Sequence, residues 1–387
     1  MSQPDYISLA FVQQLMQEHA PQKSIRVQAV EQFGMDNSAS ILALLTAGRT
    51  GSMIGHVAIK VNYEEEGIPQ VRRMVMKIKP HGSEIAEALN GLAQACGEPL
   101  AGVYNAYKEK TGFQQTHTRE QEVYKKLAPA SSPEIFGLYT DNRQQVYVIL
   151  MEYLEEVELL NSVMQPALWT SKHIEEALSA MAAWHASMLN TSATLNMHLW
   201  EDAPSMQYMQ ELTPLWHALL DHAATRFPAL YSTERVQLLR EAIGSIQDRW
   251  RFLDGLPKTL VHNDCNPRNS CFKIAGGKKK FCLYDWELCT FHIPQYDVVE
   301  LLCFVLDEGS YGLRPGYIEF YRQQLHQHTG SYTDKQAFNK ELQFAALDFA
   351  LHRMGMYMMA HTVSPYPFMP RVVNSLFDTI SKSQSDA

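Results

Sequence analysis

The sequence predicts an α+β protein of two lobes, a small one built on an antiparallel sheet and a larger one that is mostly helical. Three observations carry this expectation. Alternating apolar runs recur over roughly the first 80 residues, and long stretches of helical periodicity follow Pro166. Between Thr259 and Asp285, short strand-like runs interrupt those helices and enclose a cluster of polar residues.

Taken in order, Ile7 to His19 places Leu9, Val12, Leu15 and Met16 on one helical face, and Pro21 stops it. Ile25 to Phe33 reads as a strand, Gly34 to Ser38 as turn chemistry, and Ser40 to Leu45 is again apolar. His56 to Tyr63 alternates, Glu64-Glu65-Glu66-Gly67 is an acidic turn, and Val71 to Lys79 returns as a second strand ending at Pro80. Ser83 to about Leu127 is helical, broken once by Gly97 and Pro99. Gln145 to Leu150 is a continuous apolar strand, followed by the short segment Met151 to Leu154. Helices are expected over Ser171 to Leu189, Met206 to Phe227, Thr233 to Leu253, Tyr317 to His328 and Gln336 to His361. The predicted organisation is therefore a lobe over 1–150, a connection at 151–154 and a helical lobe over 155–387.

The chain has 387 residues, 46% of them apolar and 19% charged, a globular composition with enough length for two cores. Its formal charge of −9 argues against a nucleic-acid partner. The six cysteines have no paired Cys-x-x-Cys spacing and are expected as buried thiols in a reducing compartment rather than as zinc ligands. The N-terminus lacks a basic-then-apolar pattern, and no apolar stretch is long enough for a membrane span. A cytoplasmic protein, monomer or homodimer, without membrane or nucleic-acid partners is expected.

The chemistry concentrates in Val261-His262-Asn263-Asp264-Cys265-Asn266-Pro267-Arg268-Asn269 and in Tyr284-Asp285-Trp286-Glu287. Phosphoryl transfer needs an acid group near the attacking hydroxyl, and carboxylate and amide oxygens to hold Mg²⁺ against phosphates. Asp264, Asn269 and Asp285 offer these. Ser270 to Ile274 and Lys280 to Tyr284, joined by Ala275-Gly276-Gly277-Lys278, form a predicted hairpin that folds back to set Asn269 beside Asp285.

These residues carry a resemblance. His262-x-Asp264-x-x-x-x-Asn269, Tyr284-Asp285-Trp286-Glu287 and Pro294-x-x-Asp297 are similar to the motifs of the aminoglycoside phosphotransferase and choline kinase superfamily, small-molecule kinases with a bilobal protein-kinase-like fold. The His-Asn-Asp opening resembles choline and ethanolamine kinases. Arg119-Glu120-x-x-Val123-Tyr124 and the long early strands look more like the ecdysteroid-kinase-like and related bacterial branches. The resemblance is loose but collinear from about residue 25 to 310. It implies ATP and Mg²⁺ as cofactors and a small-molecule hydroxyl acceptor: an amino alcohol, an antibiotic or another natural product.

The resemblance also implies roles. Asp264 would orient the acceptor hydroxyl and accept its proton, Asn269 and Asp285 would hold Mg²⁺, and His262 and Asp297 would brace the loop. Glu287 is either a further acidic group at the metal or a solvated residue. Arg268 and Asn263 stand where many relatives carry glycine, and Arg268 would touch phosphate or substrate or pair with an acidic neighbour. The first lobe should supply a lysine for the α- and β-phosphates and a glutamate to pair with it. Val57-Ala58-Ile59-Lys60 matches a protein-kinase string, but Lys77 lies on the strand that leads into the helix of Glu120 and is preferred; Lys79 shares its face. Glu120 is chosen over Glu122. Without a Gly-rich loop, Gly34 to Ser40 would bind phosphate through backbone N–H groups and the hydroxyls of Ser38 and Ser40. Adenine would bond backbone at Glu152 and Leu154. The stripe His352 to Met359 could line an acceptor pocket but reads first as core, as does Trp184-His185. A regulator or pseudokinase on the same fold is the alternative. A protein kinase is disfavoured, because the twelve residues from Asp285 to Asp297 leave no room for a peptide platform.

Overall fold

The computed structural model describes residues 5–35, 54–127, 132–189 and 194–385. Five antiparallel strands form the first lobe: β1 (Ile25–Phe33), β2 (Gly55–Glu65), β3 (Ile68–Lys79), β4 (Ile135–Asp141) and β5 (Val146–Glu152), in the order β1-β2-β3-β5-β4. The acidic turn between β2 and β3 is a two-residue hairpin with positive φ at Glu66 and Gly67, the geometry that matches strand twist. Helix α1 (Leu9–His19) is capped by the Ser8 hydroxyl and buries Phe11, Val12, Leu15 and Met16. Phe11 thus takes the place expected for Leu9, which stays 44% exposed at the first helical position.

Strand β4 is absent from the sequence reading because Gly137 interrupts its pattern. The glycine has a steric cause: a Cβ there would lie 2.8 Å from Leu15 Cβ of α1. Helices α2 (Gly82–Cys96), α3 (Leu100–Tyr107) and α4 (Thr116–Lys126) occupy the expected helical region, with a second break at 108–115. One apolar cluster joins α1 to one sheet face. The other, larger cluster takes in Ile85, Leu89, Val123, Tyr124 and Ile149 together with the core of the second lobe. The helix carrying Glu120 is therefore anchored to both lobes.

The second lobe holds α5 (Ser171–Met188), α6 (Met206–Glu211), α7 (Thr213–Arg226), α8 (Thr233–Gly244), α9 (Ile246–Asp254), α10 (Gln295–Val305), α11 (Arg314–Thr329), α12 (Lys335–Phe349), α13 (Gly355–Val363) and α14 (Met369–Ser385). Three predicted helices are each divided. Pro214 in a first turn separates α6 from α7, Ser245 separates α8 from α9, and a π turn over Ala350–Met354 separates α12 from α13.

Among the helices lie β6 (Val157–Glu158), β7 (Thr259–Val261), β8 (Ser270–Ala275), β9 (Lys278–Leu283) and β10 (Thr290–His292). The β8–β9 hairpin turns at Gly276 and Gly277, both at positive φ, in the register Ser270↔Leu283. Strand β10 pairs with β7 through Thr290↔Val261. Both polar loops, 262–269 and 284–289, consequently emerge side by side. Five of the six cysteines are buried and all are free, as expected. No described helix is long and apolar enough to cross a membrane.

Gly82 begins α2 beneath the chain leading to α4, and a Cβ there would meet the Gln114 carbonyl oxygen at 2.0 Å. Gly82→Ala should destabilise the protein by at least about 1–3 kcal/mol, through overpacking against rigid backbone. Gly316→Ala, in open space on α11, should be neutral or stabilising by up to about 1 kcal/mol. Urea denaturation midpoints of the two variants check this pair.

Candidate active site

Strand β3 points Lys77 and Lys79 to the same side, two residues apart, toward Glu120 on α4; all three are buried. Lys77 Nζ donates to Glu120 Oε1 at 3.0 Å and Oε2 at 2.7 Å, and to Asp285 Oδ1 at 2.7 Å. Lys79 also binds Glu120 and reaches Glu287 Oε2 at 2.9 Å. Two ammonium groups thus face three carboxylates. Burial alone would lower the pKa of Lys77, but Asp285 and Glu120 outweigh it and raise the value, keeping the lysine charged. For Asp285 and Glu120 burial works the other way, and the lysines overcome it to hold both below the usual carboxylate range. Glu287 is pushed up by burial and then by Asp285. It is buried and ion-paired, so its reading as a solvated residue does not hold.

Glu122 takes no part in this cluster and accepts instead from the backbone N–H of Asn196 at 3.2 Å. Lys60 lies opposite Arg73 in the β2–β3 ladder and does not line the cavity around Lys77. Both Lys77 and Lys79 do.

The loop after β7 is fixed from behind. Asp297, in the first turn of α10, accepts from the backbone N–H of His262 at 2.7 Å and of Asn263 at 3.0 Å. It braces the loop and does not cap its own helix. His185 of α5, expected as packing, donates from Nε2 to Asp297 at 3.1 Å and receives the Tyr321 hydroxyl on Nδ1 at 2.6 Å. His262 donates from Nε2 to the Tyr284 carbonyl at 2.9 Å, tying the two polar loops together. Asn263 and Asp285 both adopt the left-handed conformation, with φ of 59° and 66°. Asn tolerates it without a glycine; at Asp285 it is local strain of the kind found at functional sites.

Asp264 stands at the centre of a polar constellation. Asn269 Nδ2 donates to its Oδ2 at 2.6 Å, and Asn266 Nδ2 to its Oδ1 at 3.0 Å. Arg353 Nη2 and the Tyr357 hydroxyl reach the same Oδ1 at 2.7 Å and 2.5 Å. Burial would raise its pKa, but Arg353 and Arg268 together bring it down, so the group is ionised at neutral pH. Tyr357 also lies 3.2 Å from Glu300 Oε1, while Glu300 Oε2 accepts from the Cys265 N–H at 3.0 Å. Burial and the nearby Asp264 raise Glu300 to about 8. A protonated Glu300 can donate to Tyr357, whose own proton then points at Asp264.

The hairpin brings Asn269 against Tyr284, whose N–H donates to the Asn269 carbonyl at 3.1 Å, and so sets Asn269 next to Asp285 as expected. Ligand atoms of Glu120, Asp285 and Glu287 lie within 4.8 Å of one another. These carboxylates, with the Asn269 amide oxygen, are the hard oxygen donors that suit Mg²⁺, and the two lysines suit phosphate. Glu152 is engaged elsewhere, its N–H on the Glu134 carbonyl at 2.8 Å and its carboxylate on Lys273 at 2.6 Å. Neither Glu152 nor Leu154 lines the cavity that holds Lys77 and Asp264. Ser38 and Ser40 lie outside the described residues.

Residues 69–333 match the phosphotransferase enzyme family (APH). The chain belongs to this family. The match runs from β3 to just beyond α11 and includes Lys77, Glu120, both polar loops and Asp297. No curated protein matches the chain. Among solved structures it is similar to an ethanolamine kinase of Plasmodium vivax, at 13% identity, covering 92% of this chain and 84% of that one with a TM-score of 0.47. It is also similar to a microcompartment-associated aminopropanol kinase, at 12% identity, covering 98% of each chain with a TM-score of 0.40.

Arg353 and Tyr357 lie beyond the matched span, and the sequence reading absorbed them into an apolar stripe. The available signal was their spacing of four, which puts a cation and a hydroxyl on one face of an otherwise apolar segment. Glu300 gave a similar sign, as an acidic residue in the run Val298-Val299-Glu300-Leu301-Leu302.

The raised pKa of Glu300 has a stability consequence. From the ordinary carboxyl range up to about 8 the folded protein holds a proton that the unfolded chain has released. Its contribution is therefore complete in acid and is lost as pH rises toward 8, by at most about 1.4 kcal/mol per pH unit. Glu300→Gln should flatten the decline in urea-unfolding free energy between pH 5.5 and 8; an unchanged slope would contradict the assignment.

Proposed function

We propose that this phosphotransferase is a small-molecule kinase that transfers the γ-phosphoryl group of ATP to a hydroxyl of its acceptor, with Mg²⁺ as the metal. The observation that carries this reading is a single cavity on which Lys77, Asp285, Asn269 and Asp264 converge, with Glu120 locking Lys77 from behind. A lysine for phosphate, oxygen donors for a divalent cation and an ionised carboxylate for a hydroxyl are the parts that phosphoryl transfer uses.

In the proposed reaction the acceptor oxygen forms a bond to the γ-phosphorus, the bond to the bridging oxygen of ADP breaks, and the hydroxyl proton passes to Asp264. Because its pKa is depressed, Asp264 is a weak base at neutral pH. Its main work is to orient the hydroxyl, and it takes the proton late, as the new bond forms. Asn269 and Asp285 are the proposed Mg²⁺ holders, and the bound ion would neutralise charge on the phosphates. Lys77 is the proposed partner of the α- and β-phosphates, with Lys79, two residues further along β3, held by Glu120 and Glu287. His262 and Asp297 keep the loop in place. Ser38 and Ser40 would contact phosphate. The lobes 1–150 and 155–387 would close about 151–154. Lys77, Asp264, Asn269 and Asp285 line one cavity and are each of a residue type able to serve, which favours catalysis over a nucleotide-binding regulator.

Asp264→Asn keeps the side-chain size, removes the base and leaves one acceptor where the carboxylate offered two. It should lower the transfer rate by about 10²–10⁴-fold, with ATP affinity within about twofold of wild type on the reading that Asp264 does not touch nucleotide. Lys77→Met should weaken ATP binding as well as turnover. Product formation by Asp264→Asn at a near wild-type rate would remove Asp264 from its role.

A further inference from the structure

The cavity in front of Asp264, about 350 Å³, has two kinds of wall. One is the charged cluster already described. Most of the rest is apolar: Leu89 and Leu92 of α2, Phe113, Met356 and Ala360 of α13, and Phe368. Asp264, where the acceptor hydroxyl would sit, shares the cavity with both.

The charges on this wall are unevenly matched. Each carboxylate is already engaged by a cation: Asp264 by Arg353 at 2.7 Å, Asp285 by Lys77 at 2.7 Å and Glu287 by Lys79 at 2.9 Å. Arg268 is different. Its Nε donates to the Asn266 side-chain oxygen at 3.2 Å, and among the described residues no carboxylate lies within ion-pair distance of it. An ammonium-bearing acceptor would thus meet four cations and no uncommitted carboxylate. The other common receptor for an ammonium group is an aromatic face. Four such rings line the cavity: Phe368 is covered by the Arg268 guanidinium at 5.7 Å from its centroid, Tyr357 by Arg353 at 4.9 Å, and Tyr366 is stacked on His361 and Phe368, which leaves Phe113. A desolvated ammonium group would therefore have one aromatic ring to set against four cations, whereas a hydrocarbon surface would find apolar contacts from both lobes.

We infer that the acceptor is an uncharged alcohol with a hydrocarbon body, and not an amino alcohol or an amino sugar. This rests on the kinase reading above. Leu89, Leu92, Phe113, Met356, Ala360 and Phe368 receive the hydrocarbon, and its hydroxyl is presented to Asp264.

The test uses the full chain and two sets of probes: cyclohexylmethanol, borneol and a hydroxysteroid against ethanolamine, choline and kanamycin. ADP release with each gives kcat/KM, and the saturable rise in Tm gives binding. A neutral alcohol should exceed every ammonium compound by at least 100-fold in kcat/KM. The Ala360→Glu variant, at a half-buried site, should bind neutral alcohols at least tenfold more weakly, with its folding checked by near-ultraviolet circular dichroism. Better turnover of an ammonium acceptor would overturn the inference and leave the kinase reading standing. Neutral alcohols that bind, lose binding in Ala360→Glu and are never phosphorylated would sustain the assigned ligand class and overturn the kinase reading. No rise in Tm with any neutral alcohol would overturn the inference.

Discussion

Lys77, Lys79 and Glu120 are buried together, and none could be so alone. An uncompensated ammonium or carboxylate in this position would be displaced or neutralised, and removing one member of such a pair typically costs about 3–5 kcal/mol. The cluster closes only when Asp285 and Glu287 arrive from the loop after β9, so three distant segments must be placed correctly at once: β3, α4 and residues 284–289. That requirement couples the sheet lobe to the helical lobe electrostatically. It also leaves a concentration of fixed charge on the wall of a cavity, which the proposed function assigns to a polyphosphate and its cation.

The second loop depends on a different device. Its backbone hangs from Asp297, which is held in turn by His185 and Tyr321, while the Asp264 carboxylate is gripped from the opposite side by Arg353 and Tyr357. The π turn over Ala350–Met354 belongs to this second grip. It shifts the helical phase just before α13, at the point where Arg353 leaves an apolar stripe and reaches the cavity. Loop backbone and loop side chain are therefore positioned independently, which is the kind of preorganisation that orientation-based catalysis requires.

Much of this was legible in the sequence where the signal is local. Alternating apolar runs located β1, β2 and β3, a continuous apolar run located β5, the Gly276-Gly277 turn located the hairpin, and that hairpin's register set Asn269 beside Asp285. The pairing of Lys77 with Glu120 was implied by the family resemblance, with chain order favouring Lys77 over Lys60. Signals that depend on packing were lost. Gly137 hid β4 because its reason is the side of Leu15, over a hundred residues away. Arg353 and Tyr357 disappeared into a methionine-rich stripe because their partner stands 89 and 93 positions earlier. Lys77 and Lys79 could not be ranked by pattern, since a strand sends both to one face and the fold engages both.

The central claim is that the lysine–carboxylate cluster is a site for ATP together with a divalent cation. Isothermal titration of ATP with and without Mg²⁺, in the wild type and in Asp285→Asn, tests it most directly. The account predicts that Mg²⁺ tightens ATP binding at least tenfold in the wild type and that this gain is largely lost in Asp285→Asn. Equal affinity with and without Mg²⁺, or a full Mg²⁺ effect in the variant, would contradict it.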